Sequence, residues 1–265
     1  MTTPDGCPHD PPASHPFTRP EETTVTATLR LLASAIALVA GLCVLTASAA
    51  DLPKESQKKA TAADILTLQK YTEDIVAEPA KNKKLIPGAK ALVLILGTRG
   101  DPALAAQATT VGKALEKKDY KAAAAAAQGL LSPKAEGKAV TFEYDLNDVM
   151  APFRLTRSGG LNIEKDIKDA ISPRGTGKIE PAVAELIGAR TAPLADIIDT
   201  MPNDKAKTNS AMTAKWSKFS KDMAKASKEL TEEGGKGDKA DPKKLIATLK
   251  KLDASCSNCH NEFRD

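Results

Sequence analysis

Apolar side chains recur along this chain at spacings of three and four, and that period predicts helices almost from end to end. Ile65, Leu68, Ile75 and Val76 mark an amphipathic segment near 57–78. The stretch 89–96 is short and apolar, bounded by Pro87-Gly88 and Gly97. Asp101-Pro102 supplies an N-cap and a proline at the first helical position, so a helix is expected over 102–117. Asp119 opens another, which contains the run Ala122–Ala127. Residues 132–141 read as a linker, and 144–153 as a helical turn broken by Arg157-Ser158-Gly159-Gly160. Further helices are expected at 161–171, 179–200, 206–232 and 242–264, with 231–239 as an exposed loop before the last of them. No segment alternates with period two and no repeat is evident, so the fold class is all-α.

One segment departs from this pattern. Residues 31–50 carry no charge, follow Arg30 and end in small residues ahead of Asp51. A basic residue, an apolar run and an A-x-A-like end are the features of a secretory signal. The rival reading is an uncleaved membrane anchor, since about 20 apolar residues can cross a bilayer. Cys43 does not make a lipoprotein signal, because Leu42 stands where a small residue is needed. Residues 1–29 are rich in Pro and Thr and lack a signal's basic start, so they read as an upstream extension or a start codon placed too early. Three stretches are therefore expected: 1–50 as extension and signal, 51–139 as a helical region, and 140–265 as the part that carries chemistry.

Composition narrows the function. The 265 residues are 42% apolar and 27% charged, which excludes a disordered chain and a multispan membrane protein. Aromatics make up only 3%, while Ala and Lys abound, favouring helices packed through small side chains. Removing residues 1–50 takes away two basic and four acidic side chains and moves the formal charge from +4 to +6. So mild a balance, without a clustered basic face, gives no expectation of a nucleic-acid partner.

Removal of 1–50 also takes Cys7, Cys43, His9 and His15. Every remaining Cys and His then sits in one pentapeptide, Cys256-Ser257-Asn258-Cys259-His260. C-x-x-C-H is the attachment signature of a c-type haem. On a helix, positions i, i+3 and i+4 share a face, so two thiols can each form a thioether to a haem vinyl while the next imidazole reaches the iron. Attachment occurs outside the bacterial cytoplasm, so the signal and the motif support each other. The other readings are a Cys256–Cys259 disulfide, which suits a thiol pair at the start of a helix better than one near its end, and a zinc site, which lacks a fourth ligand. Around the motif, Leu245, Leu249, Leu252, Cys256, Cys259 and Phe263 recur on one helical face opened by Asp241-Pro242. Arg264 follows His260 by one turn and is a candidate partner for a haem propionate.

Cys256–Arg264 (CSNCHNEFR) resembles the C-x-x-C-H-x-x-F/Y-R motif of class II c-type cytochromes, the cytochrome c-prime type. Upstream, Trp216 and Phe219 in KWSKFSKDMAKASKEL look like that family's third helix. The resemblance spans about 144–265 and is strongest in the last ten residues; 51–143 lie outside it. It implies a four-helix bundle with one covalent haem c on the C-terminal helix. Where the family has one long first helix, this chain has Pro152 and a glycine pair, which puts the far side of the haem in question.

With His260 as the one histidine left, the sixth iron position falls to methionine, lysine, water or nothing. Some class II cytochromes take a methionine from the first helix; Met150 matches that position, and Met223 is the reserve. Both have the alternative role of core filler. Thioether ligation suits electron transfer, whereas an open apolar site admits NO or CO. The leading expectation is therefore an exported, periplasmic monohaem electron carrier, with Lys243, Lys244, Lys250 and Lys251 available to steer it to an acidic redox partner. The alternatives are a five-coordinate gas-binding haem protein and a helical module whose haem mainly stabilises the fold. No enzyme is expected, since a peroxidase needs a second histidine; a homodimer is compatible with all three.

Overall fold

The computed structural model describes residues 52–133, 141–172 and 174–264. The expected signal at 31–50, with Cys7, Cys43, His9 and His15, lies outside the described residues, as does most of the 132–141 linker. Among the described residues all regular structure is helical, and no helix is long and apolar enough to cross a membrane.

The N-terminal half contains α1 (Lys54–Ala77), α2 (Pro79–Asn82), α3 (Ile86–Gly97), α4 (Pro102–Glu116) and α5 (Tyr120–Gln128). Local chemistry sets the starts that the sequence marks. The Asp101 carboxylate accepts from Ala103 N and Leu104 N, and that of Asp119 accepts from Ala122 N, so each satisfies amides that an opening helix leaves unpaired. Leu68, Ile75, Leu92, Val111 and Leu115 close a core with Ala108, Ala123 and Ala127, all buried.

The C-terminal half contains α6 (Leu146–Met150), continued by a 3-10 turn over Ala151–Phe153, then α7 (Ile163–Ile171), α8 (Pro181–Asp199), α9 (Ser210–Gly234) and α10 (Pro242–Phe263). Helices α8, α9 and α10 run antiparallel in sequence order. Trp216 near the start of α9 donates to Ile198 O at the end of α8 (2.8 Å), and Lys215 pairs with Glu262 at the far end of α10 (3.1 Å). Bare Gly188 permits the closest approach of α8 and α9, because a Cβ there would sit 2.4 Å from Ser227 O. Helix α7 lies along α10, with Lys168 pairing to Asp253 (2.7 Å). Asp241 caps α10 through Lys243 N and Lys244 N, as the sequence predicts.

Helix α3 is apolar apart from Lys90 because it serves two cores. Leu92 and Leu96 face the N-terminal cluster, while Ile95 packs with Val149, Ile163 and Leu194 in the C-terminal one. A buried ionic group ties the halves together. Asp64, fully buried on α1, accepts from Arg190 Nε of α8 (2.6 Å) and Arg99 Nη2 just beyond α3 (3.0 Å). Arg99 Nη1 also donates to Ala189 O (3.1 Å). Pro193 stands four residues after Ala189 inside α8 and has no N–H to offer that carbonyl, so arginine takes the place of the missing helical bond.

Two local expectations need correction. The ninth helix starts at Ser210 rather than 206, because Asn209 caps Met212 N while the Asn203 carboxamide holds Ala206 N in a preceding turn. Of the stretch 231–239, only 235–239 form the expected exposed connection: 231–234 belong to α9, and Thr231 and Glu233 are buried. Glu233 is stabilised there by Lys236 (2.7 Å), Lys244 (2.8 Å) and the amide of Asp241 (2.9 Å).

Candidate functional site

A cavity of about 580 Å³ opens between α6, α9 and the last two turns of α10. Small-molecule sites commonly measure about 300–1,000 Å³. Its wall brings together all five residues singled out from the sequence: Cys256, Cys259, His260, Arg264 and Met150. The reserve methionine, Met223 of α9, lines it as well.

Each of these positions has a local cause. The apolar face of α10 runs Leu245, Leu249, Leu252 into the core and continues through Cys256 and Cys259, so the thiols arrive at the cavity where that face leaves the packed interior. His260, one position on, is exposed, and its imidazole makes no hydrogen bond among the described residues. Phe263 closes the helix in the core, edge-on to Trp216 (centroids 5.2 Å apart, 74°) and to Phe219 (6.3 Å, 72°). Arg264 lies just past the last helical residue in an extended conformation, while its amide still donates to His260 O (2.9 Å). Met150 ends the five-residue α6 and is half-buried.

The thiols are free and their acidity is suppressed. Burial pushes Cys256 up to about 12, against a smaller lowering by the Ser255 hydroxyl, and burial pushes Cys259 up to about 11. A reactive redox pair has the opposite character, since it sits at a helix N-terminus that stabilises thiolate. Here both sulfurs occupy the C-terminal end of a 22-residue helix, where the dipole opposes negative charge. The site therefore suits sulfur in a neutral form, and thioether sulfur is one.

These residues fit a covalent haem on observation. The cavity has the volume class, its lining combines aromatic rings with two thiols, and an unengaged imidazole stands at its edge. Among the described residues no group of three Cys, His, Asp or Glu is arranged to hold a bare metal ion. A haem iron asks less, because the porphyrin supplies four of its ligands.

Several lining residues were not singled out in the sequence. Phe153 and Arg154 come from the 3-10 turn and its end, and Asn203 from the α8–α9 connection, where its Nδ2 donates to Phe263 O (2.9 Å). Arg154 is held by a hydrogen bond from its Nη2 to Asn147 Oδ1. The signal for this wall in the sequence, beside Met150 itself, is Asp145 three residues before Asp148, a capping pair that the structure forms in full. All four α10 lysines are exposed; Lys244 and Lys251 are engaged by Glu233 and Glu229 (both 2.8 Å), while Lys243 and Lys250 have no ion pair among the described residues.

No protein-family model matches the chain, and no curated protein or solved structure matches it either.

Proposed function

We propose that this chain is an exported monohaem c-type cytochrome of the class II kind, transferring electrons in the periplasm. The observation that carries the reading is convergence. The attachment pair Cys256 and Cys259, His260 and the distant Met150 line one aromatic-walled cavity, although 106 positions separate Met150 from Cys256. Helices α7–α10 stand for the family's bundle, with α6, its 3-10 turn and α7 in place of a single long first helix.

In this reading Cys256 and Cys259 would hold one haem c covalently, and His260 of α10 and Met150 of α6 would ligate its iron. Bound haem would supply a one-electron couple. Trp216, Phe219 and Phe263 keep water from one side of the cavity, and a dry, apolar surround is one of the levers by which a protein sets a haem potential. Arg154 and Arg264 offer the cavity two guanidinium groups suited to bidentate carboxylate recognition, so they are the residues to hold propionates. Lys243 and Lys250 are the free cations left to meet an acidic redox partner.

One observation favours a second reading, a five-coordinate haem protein that binds NO or CO. Met150 rides on a helix of five residues, too short to hold a position by itself. An optical titration of the chain, matured with haem, separates the two: ferric, then reduced, then under CO. CO binding that is weak and tightens in Met150→Ala supports the electron carrier. CO binding that is tight in the unmutated protein and unaltered in Met150→Ala supports gas binding. Absence of covalently bound haem overturns both.

A further inference from the structure

The family resembled by the last 122 residues offers no counterpart for residues 51–143, yet these helices press directly on the cavity wall that bears Met150. That wall, α6 with its 3-10 turn, has little means of its own to stay in place, since helices shorter than about 12 residues are marginal in water. Lys90 of α3 reaches across and pairs with Asp148 of α6 (Nζ–Oδ2 3.0 Å), and both side chains are largely shielded, 17% and 9% exposed. The same Asp148 carboxylate accepts from Asp145 N (3.2 Å), so one group joins the capping box of α6 to α3.

The return loop behind α6 is pinned from the same side. Tyr71 of α1 donates its hydroxyl to Gly160 O (2.6 Å). Gly88 of α3 lies so close to this loop that a Cβ there would meet Gly159 O at 2.1 Å. Gly159 has φ +82°, and a Cβ on it would meet Lys84 O at 2.0 Å. The loop closes onto the wall through Leu161 N to Pro152 O and Asn162 N to Arg154 O (both 2.9 Å). The clamp is therefore continuous, from α1 and α3 through 159–162 to 150–154.

We propose that Lys90 and Tyr71 are positioning residues: the N-terminal helices hold the Met150 wall against the cavity and so keep the methionine facing the group carried by Cys256, Cys259 and His260. This rests on the cytochrome reading above. It gives residues 51–143 a role that a long first helix performs elsewhere within the bundle itself. Neither residue lines the cavity, so each acts only through α6 and its loop.

The test uses the full chain matured with haem and compares CO dissociation constants of the ferrous protein, with helical content by circular dichroism alongside. Lys90→Ala should tighten CO binding about tenfold, the scale on which outer groups act on a metal site, while Lys90→Arg stays within about twofold of the unmutated chain. Tyr71→Phe removes one hydroxyl and keeps the ring, and should shift CO binding in the same direction by about threefold. Lys70→Ala, which removes an exposed pair to Asp74 on α1, should leave it unchanged. CO affinity unaltered in both Lys90→Ala and Tyr71→Phe, in a protein where Met150→Ala does alter it, overturns the positioning role and leaves the cytochrome reading intact. Absence of covalent haem in the unmutated chain, read from its absorbance after denaturation and before any CO is added, overturns both together.

Discussion

The two halves of the molecule fill their interiors in opposite ways. Around α1, α4 and α5, alanines and branched aliphatics settle against each other, and Ala108, Ala123 and Ala127 are completely covered. Around α9 and α10, Trp216, Phe153, Phe219 and Phe263 surround a cavity of about 580 Å³. The chain has only nine aromatic residues, so placing four of them around one cavity marks that opening as built. Small side chains let helices collapse onto one another, whereas flat rings braced edge-on hold them apart. The halves thus differ in what they provide, since one supplies rigidity and the other a cavity with chemistry at its rim.

The sharpest way to break this division is at the ionic joint. Asp64→Ala leaves Arg99 and Arg190 buried without their counter-charge and should cost about 4 kcal/mol. Urea unfolding of the variant should show two transitions where the parent shows one. Next in size is a pair of truncations. Leu92→Ala opens a hole in a closely packed core and should cost about 3 kcal/mol, while Met150→Ala in haem-free protein should cost below about 1 kcal/mol, because it borders empty space already. Equal losses in thermal denaturation would erase the proposed difference between the halves.

The smallest effect concerns acid. Lys236, Lys244 and the Asp241 amide hold Glu233 down to about 2, against an ordinary 4.5. A depressed carboxyl stabilises the fold fully above pH 4.5 and loses that contribution as pH falls towards 2. Melting temperature followed over this window should fall less steeply in Glu233→Gln than in the parent, although the variant starts lower at neutral pH.

What could be read from the chain beforehand was whatever depends on near neighbours. Asp101, Asp119 and Asp241 cap amides two or three residues away, so the helix starts they set were visible. Cys256, Cys259 and His260 lie within one turn, and their shared face follows from helical geometry alone. The start of α9 was misplaced because Asn203 and Asn209 both offer local carboxamide bonds, and only the second begins a helix. Glu233 looked like a loop residue, since nothing nearby announces that Lys244 will come round to meet it. The Asp64 group joins residues 35 and 126 positions apart, and no spacing rule reaches so far. Arg154 and Asn203 reach the cavity from connections, where periodicity carries no signal.

The proline within α8 has a consequence in time as well as in space. With Pro193 in place, α8 contains a carbonyl that no amount of winding can satisfy from within. Its partner, Arg99, comes from 90 residues earlier and is presented only once α3 has ended against α1. Contacts of such separation form late, since the intervening chain must be ordered before they repay it. The helix that braces the cavity therefore completes its bonding only after the other half has docked, so a nascent chain cannot finish its cavity-bearing end ahead of its scaffold.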